Sequence, residues 1–402
     1  MEKTQNTTQA SHTTNFDDIR PYNDDEYALV FARLIASNEF VDTMASMKFP
    51  RLVHWAPWLL RPLVRRNIQQ LFAGVTTVRG FQIIVRQLLK RSLERASSQF
   101  SVSGLEKLDT VQSHLFITNH RDIAMDPALI ILALSTFGLE PMRIAFGDNL
   151  LTKPFISDLI RINKSFIVRR SVSGRREKLA AFKQLSAYIR HSVVNDHESV
   201  WIAQSEGRAK DGIDRTETAL LKMLALSKDK TESFGDAINA INLVPVSISY
   251  EWDPCDADKA QELYARETVG TYEKGEHEDF ASIYKGIVGK KGSIHVAFGD
   301  LIQGSIENAS QLAQDIDRQI INNYRLQATH LIAYERIHGS CEYSNSLKQN
   351  LRTDWDETAR AFDERLSEIP QEHQSTLLSA YANPVVQKIK ALTDMPDTPL
   401  NT

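Results

Sequence analysis

The chain has 402 residues, 42% of them hydrophobic and 24% charged, with a formal net charge of -4. That balance supports a buried core of ordinary size and excludes both a wholly disordered chain and bulk binding to nucleic acid. Two cysteines, Cys255 and Cys341, are too few for a disulfide framework and point to a reducing, cytoplasmic setting.

Residues 1–24 are rich in Thr, Asn, Gln and Asp and read as a disordered tail. The opening MEKTQNTTQASHTTNFDD has no apolar core and no cleavage site, so no secretory signal is expected there. Residues 25–99 read as helical, with apolar residues at three- and four-residue spacing in Leu63, Val64, Ile68, Leu71 and Phe72. Between residues 48 and 95 there are ten cations (Lys48, Arg51, Arg61, Arg65, Arg66, Arg79, Arg86, Lys90, Arg91, Arg95) against the single acid Glu94. Trp55 and Trp58 stand near the start of that stretch, and Trp favours the membrane–water boundary. A basic amphipathic segment of this kind reads as a face for an anionic membrane surface. No run of 18 apolar residues occurs, so a lipid-directed protein would lie on the inner face of the membrane as a peripheral protein rather than cross it.

From residue 100 to 302 short apolar runs alternate with helical ones. FSVSGL, SHLFITN, MRIAFG, SFIVR, SVWIA, NLVPVSISY and GSIHVAFG read as buried strands. The segment REKLAAFKQLSAYIRHSVV reads as an amphipathic helix with Leu179, Phe182, Leu185, Ile189 and Val193 on one face. The alternation implies an α/β domain whose mixed, substantially parallel sheet is flanked by helices. Residues 303–402 are again helical in pattern and turn acidic around TDWDETARAFDERLSEIPQE. The α/β domain therefore carries helical extensions at both ends.

Four motifs carry chemistry. In ITNHRDIAMDPALI an apolar strand runs into Asn119 and His120, and a helix starts near Asp126 and Pro127. His120 is thereby presented at a strand end, where open α/β sheets bind their ligands. A neighbouring carboxylate, Asp126 or Asp122, would hold one ring nitrogen and leave the other to take a proton. The second motif, GDNLLTKPFISDLIRINKSFIVRR, and the third, AQSEGRAKDGIDRT, each deliver cations near a strand end: Arg169 and Arg170, then Arg208 and Lys210. Cations converging at such a place suit a phosphate. The fourth motif is NLVPVSISYEWDP.

In their order and spacing these four motifs resemble the sequence blocks of the glycerol-phosphate acyltransferase superfamily, which includes glycerol-3-phosphate and lysophosphatidate acyltransferases. NHRDIAMD is similar to its His-Asp block, GDNLL with FIVRR to its second, SEGR to its Glu-Gly-Arg block and VPVSISYE to its fourth. The resemblance covers roughly residues 113–251. Two loops differ in length: five residues rather than four separate His120 from Asp126, and SEGR is one residue shorter than usual between Gly and Arg. Asp122 therefore stays open as the partner of His120.

The resemblance implies an O-acyltransferase of phospholipid biosynthesis. His120 would deprotonate an acceptor hydroxyl, which attacks the thioester of acyl-CoA or acyl carrier protein, and Asp126 would orient His120. Arg170, Arg208 and Lys210 would bind the phosphate of glycerol-3-phosphate or a lysophospholipid, with Arg169 beside them. Glu206 and Gly207 would shape that turn, and Val244, Pro245 and Val246 would line the acyl-chain side. A thioester is already activated, so neither a cofactor nor a metal is expected. A covalent acyl carrier role for Cys255 is a minor alternative. A non-catalytic lipid-binding or scaffold protein that retained the fold is the rival of another class. HRD also occurs in protein kinases, but the Asn that loop needs is replaced here by Pro127.

Overall fold

The computed structural model describes residues 16–46, 49–275 and 278–393. Most of the segment expected as a tail, residues 1–15, lies outside the described residues, as do Lys48 and residues 394–402. Residues 16–23 depart from the expectation of a tail, because they pack. Ile19 is 2% exposed, its carbonyl accepts a hydrogen bond from Ile167 N at 2.9 Å, and the Phe16 ring meets Tyr188 edge-on.

All seven expected strands form: β1 (Ser97–Ser103), β2 (Leu115–Thr118), β3 (Arg143–Gly147), β4 (Ser165–Val168), β5 (Val200–Ala203), β6 (Leu243–Tyr250) and β7 (Gly292–Phe298). They make one sheet in the order β1-β7-β6-β2-β5-β3-β4. Every neighbouring pair is parallel except β6 and β7. The sheet is thus mixed and mostly parallel. Its central strands β2 and β6 are buried along their whole length and largely apolar because both faces are covered. Leu115 and Ile117 of β2 join the core on one face with Phe166, Ile202 and Leu243. Phe116 joins the other with Leu129, Val244 and Val246. Each such fully buried side chain contributes about 1.5–3 kcal/mol.

The basic N-terminal stretch is three helices rather than one: Pro50–Trp55, Pro57–Leu71 and Val78–Ala96. Prolines begin the first two, where a missing N–H costs nothing, and Thr77 caps the third by accepting from Gly80 N at 3.0 Å. Val64 and Ile68 pack inward, whereas Leu63 and Leu71, expected on the same stripe, are exposed. The helix Arg175–Val194 buries Leu185, Ile189 and Val193 as expected, but Leu179 and Phe182 one turn earlier are exposed. Among the described residues the C-terminal region forms five helices, the last of them Gln371–Thr393.

Candidate active site

The first three motifs follow the C-terminal ends of four parallel strands: His120 after β2, Asn149 after β3, Arg169 and Arg170 after β4, and Glu206 to Lys210 after β5. Parallel pairing brings those ends to one edge of the sheet, where they line a common cleft of about 460 Å³.

His120 meets Asp126, with Nδ1 at 2.9 Å from Oδ2. A carboxylate only accepts, so in the neutral ring Nδ1 carries the hydrogen and Nε2 the lone pair. Nε2 makes no hydrogen bond among the described residues, and the ring lines the cleft with the Trp201 ring edge-on, centroids 5.8 Å apart. Asp126 is fully buried. Its Oδ2 also accepts from Arg121 N (2.6 Å) and Asp122 N (2.9 Å), and its Oδ1 from the Tyr250 hydroxyl (2.7 Å). Four donors hold that carboxylate in one orientation. Burial and the charge of Asp126 raise the Tyr250 pKa well above its ordinary value, so the phenol remains a donor.

Asp122 does not touch His120. Its Oδ1 accepts from Ala124 N (3.0 Å) and Met125 N (2.8 Å) and closes the turn into the helix Met125–Thr136. Burial and the neighbouring Asp126 push the Asp122 carboxyl up from the usual carboxylate range. Of the two carboxylates that the sequence left open, it is Asp126 and not Asp122 that meets His120.

The cations divide. Arg208 lines the cleft, and its Nη1 is buried without a hydrogen-bond partner. A guanidinium donor left unmet in this way costs free energy until an acceptor arrives. Lys210 lines the same cleft but already pairs with Glu262 at 2.9 Å. Burial lowers its pKa, opposed by Glu262 and reinforced by Arg208 and Lys274. Arg170 lines the cleft and faces Glu206 at 3.7 Å. Arg169 also lines the cleft and is ion-paired with Asp18, outside the four motifs. Glu206 is largely exposed, and Gly207 adopts φ +80°, which a side chain disfavours.

Two expectations fail on geometry. Val244 and Val246 are fully buried in β6, and neither they nor Pro245 line the cleft. Its apolar wall comes instead from Phe182 and Leu185 of one helix, Leu220 and Met223 of Thr218–Leu224 and its flank, and Trp201 and Ile202 of β5. Cys255 is 1% exposed, and burial pushes its thiol up to about 12. It is neither accessible nor a thiolate, as an acyl carrier would have to be.

Several supporting residues escape a reading of motifs. Asn119 bridges β2 to β6 through both backbone groups of Ile248, at 2.9 and 2.8 Å. Arg121 is buried and reaches Asp214 at 2.8 Å. Lys259 donates to Arg121 O at 2.6 Å. Lys274 adds a cation to the cleft wall and pairs with Asp279. Tyr250 was open to inference: two-residue alternation puts it on the face of Val244, Val246 and Ile248, the face packed on the helix that bears Asp126.

Residues 99–249 match the family model named Acyltransferase. The chain is 26% identical over 228 residues to dihydroxyacetone phosphate acyltransferase of Bos taurus, covering 56% of this chain and 31% of that protein. It is 27% identical over 202 residues to the Homo sapiens protein of the same name, covering 49% and 28%. The chain thus spans about a third of the length of these relatives. The crystal structure of the 1-acyl-sn-glycerophosphate (LPA) acyltransferase PlsC from Thermotoga maritima aligns with 74% of this chain and 96% of that one. The identity is 13% and the TM-score 0.36, too loose a likeness to carry an argument. The acyltransferase match runs from within β1 to within β6 and contains the His–Asp pair at the end of β2, so this part of the chain is similar to an acyltransferase domain.

Proposed function

We propose that this protein transfers a fatty acyl group from a thioester to a hydroxyl of a small phosphate-bearing glycerol compound. The observation that carries the reading is one cleft holding both the unbonded Nε2 of His120 and the partnerless Nη1 of Arg208. His120 takes the hydroxyl proton as the oxygen attacks the thioester carbonyl. Asp126 stabilises the resulting imidazolium, and the thiolate of the donor departs with a proton. Arg208, Arg170 and Lys210 hold the acceptor phosphate, and the apolar wall around Phe182, Leu185, Leu220 and Met223 takes the acyl chain. Acyl-CoA and acyl carrier protein both present the required thioester. Glycerol-3-phosphate and a 1-acylglycerol-3-phosphate fit as acceptors. Dihydroxyacetone phosphate joins them because the mammalian relatives are named for it.

The cation arrangement gives a direct test. Arg208→Ala should raise the KM for a phosphorylated acceptor about ten- to a hundredfold, the loss expected for a hydrogen bond to a charged group. The KM for the thioester should stay near wild type. Lys210→Ala should act in the same direction but less, because Glu262 already neutralises that ammonium. Initial-rate kinetics with both substrates varied decide it; normal acceptor KM values in both variants would point to an unphosphorylated acceptor.

The membrane partner is also a proposal, supported by Trp55, Trp58 and Leu63, which are 88%, 72% and 62% exposed. The cations beside them are not equivalent. Arg61 is bonded to both carboxylate oxygens of Asp42. Arg65 is bonded to Ile35 O and Asn38, and Arg79 pairs with Glu140. Arg66, Lys90, Arg91 and Arg95 make no ion pair among the described residues and carry the electrostatic part. No helix among the described residues is long and apolar enough to cross a membrane. Each cation near an anionic leaflet contributes roughly 1 kcal/mol. Changing these four to Gln should weaken binding to anionic vesicles by about a thousandfold, and high salt should loosen the wild type. Flotation on anionic and neutral vesicles is the measurement, and equal binding to both would remove electrostatics from the account.

A further inference from the structure

The C-terminal helix Gln371–Thr393 lies more than a hundred residues beyond the acyltransferase match, yet it grips the loop that carries the phosphate-binding cations. Gln387 bonds both backbone groups of Asp214: Oε1 accepts from Asp214 N and Nε2 donates to Asp214 O, each at 2.8 Å. One turn earlier, Asn383 Nδ2 donates to Asp211 O at 2.7 Å. Between them Gly212, at φ +77°, sits so close to the carbonyl of Ala380 that any Cβ would collide with it. Three of the four residues 211–214 are therefore clasped by one face of this helix, at the i, i+3 and i+7 positions 380, 383 and 387.

The same loop is tied to the base. Ala209, between Arg208 and Lys210, donates its N–H to His120 O at 2.8 Å. The buried Arg121 guanidinium donates to Ala209 O (3.0 Å), Gly212 O (3.1 Å) and Asp214 (2.8 Å). Residues 204–217 form neither helix nor strand. Their backbone groups must find partners elsewhere when buried, and the helix supplies three of them. This loop is also the one that is a residue shorter, at SEGR, than its family's usual form.

We propose that Asn383 and Gln387 are positioning residues that set Arg208 and Lys210 at the acceptor phosphate. The inference rests on the acyl-transfer reading above. Neither side chain touches the cleft, so their effect passes through the loop. A displacement of about 1 Å is enough to lose a large part of an oriented interaction.

The test uses the full chain, with Gln387→Met, which keeps the volume but neither hydrogen bond, and Asn383→Ala. Each should raise the KM for glycerol-3-phosphate or dihydroxyacetone phosphate by about tenfold, the scale of a lost hydrogen bond. The preference for the phosphorylated acceptor over glycerol or dihydroxyacetone should shrink by the same factor. The thioester KM should not move. A role confined to stability would lower the melting temperature and leave that preference intact, which would overturn the proposal. A wild type that shows no preference for a phosphorylated acceptor would overturn the acyl-transfer reading of the cations and this inference with it.

Discussion

The His120→Ala variant should lose acyl transfer by about 10²–10⁴-fold, the range contributed by a positioned general base. The loss should fall on kcat, because the ring contributes a proton acceptor and not a phosphate contact. The fold should survive. The side chain makes one hydrogen bond, to Asp126, and is 13% exposed at the cleft, while the backbone bond from Ala209 N to His120 O is indifferent to the side chain. Near-normal turnover in a variant that melts like the wild type would show that another group takes the proton.

Asp126→Asn should be the next most damaging change at the site, with transfer reduced by roughly 10²-fold or more. The amide oxygen can still accept from His120 Nδ1, Arg121 N and Asp122 N, so the ring keeps its place. The negative charge that stabilises the imidazolium is gone, and in a buried, low-dielectric position that charge counts most. Asp122→Asn makes the contrast. Its Oδ1 accepts from Ala124 N and Met125 N, which an Asn oxygen does equally well. Burial already disfavours its charge. Transfer within a few-fold of wild type is expected there. Greater damage from Asp122→Asn than from Asp126→Asn would reverse the assignment. Melting curves for both variants separate chemistry from stability, since a buried, hydrogen-bonded carboxylate also supports the fold.

What the sequence discloses depends on how local the signal is. The strands are legible because most are short, largely apolar runs between turn residues, as the burial of the central ones on both faces requires. His120 is legible because it ends one such run and begins a helix with Pro127 close behind. Arg208 and Lys210 follow the end of β5 in the same manner. The choice between Asp122 and Asp126 is not legible, because both lie within reach of His120 along the chain and only the path of the turn separates them. Arg61 and Arg65 read as free cations for want of any local sign of Asp42 and Asn38, which meet them from the helix Asn38–Ser46. Val244 and Val246 have the composition of an acyl-chain wall, yet β6 is interior to the sheet, between β2 and β7. Gln387 carries no local signal at all. A polar residue in a C-terminal helix looks like solvent-facing surface until the fold brings Asp214 to it across 173 residues.

The most direct measurement follows product and thiol together in wild-type protein supplied with a long-chain acyl thioester and glycerol-3-phosphate or dihydroxyacetone phosphate. Thiol release should depend on the acceptor, an acyl ester of the acceptor should form one-for-one with the thiol, and the unphosphorylated acceptor should be used far less well. Thiol release that yields only free fatty acid, or an ester formed equally on the unphosphorylated acceptor, would contradict acyl transfer to a phosphate-bearing acceptor.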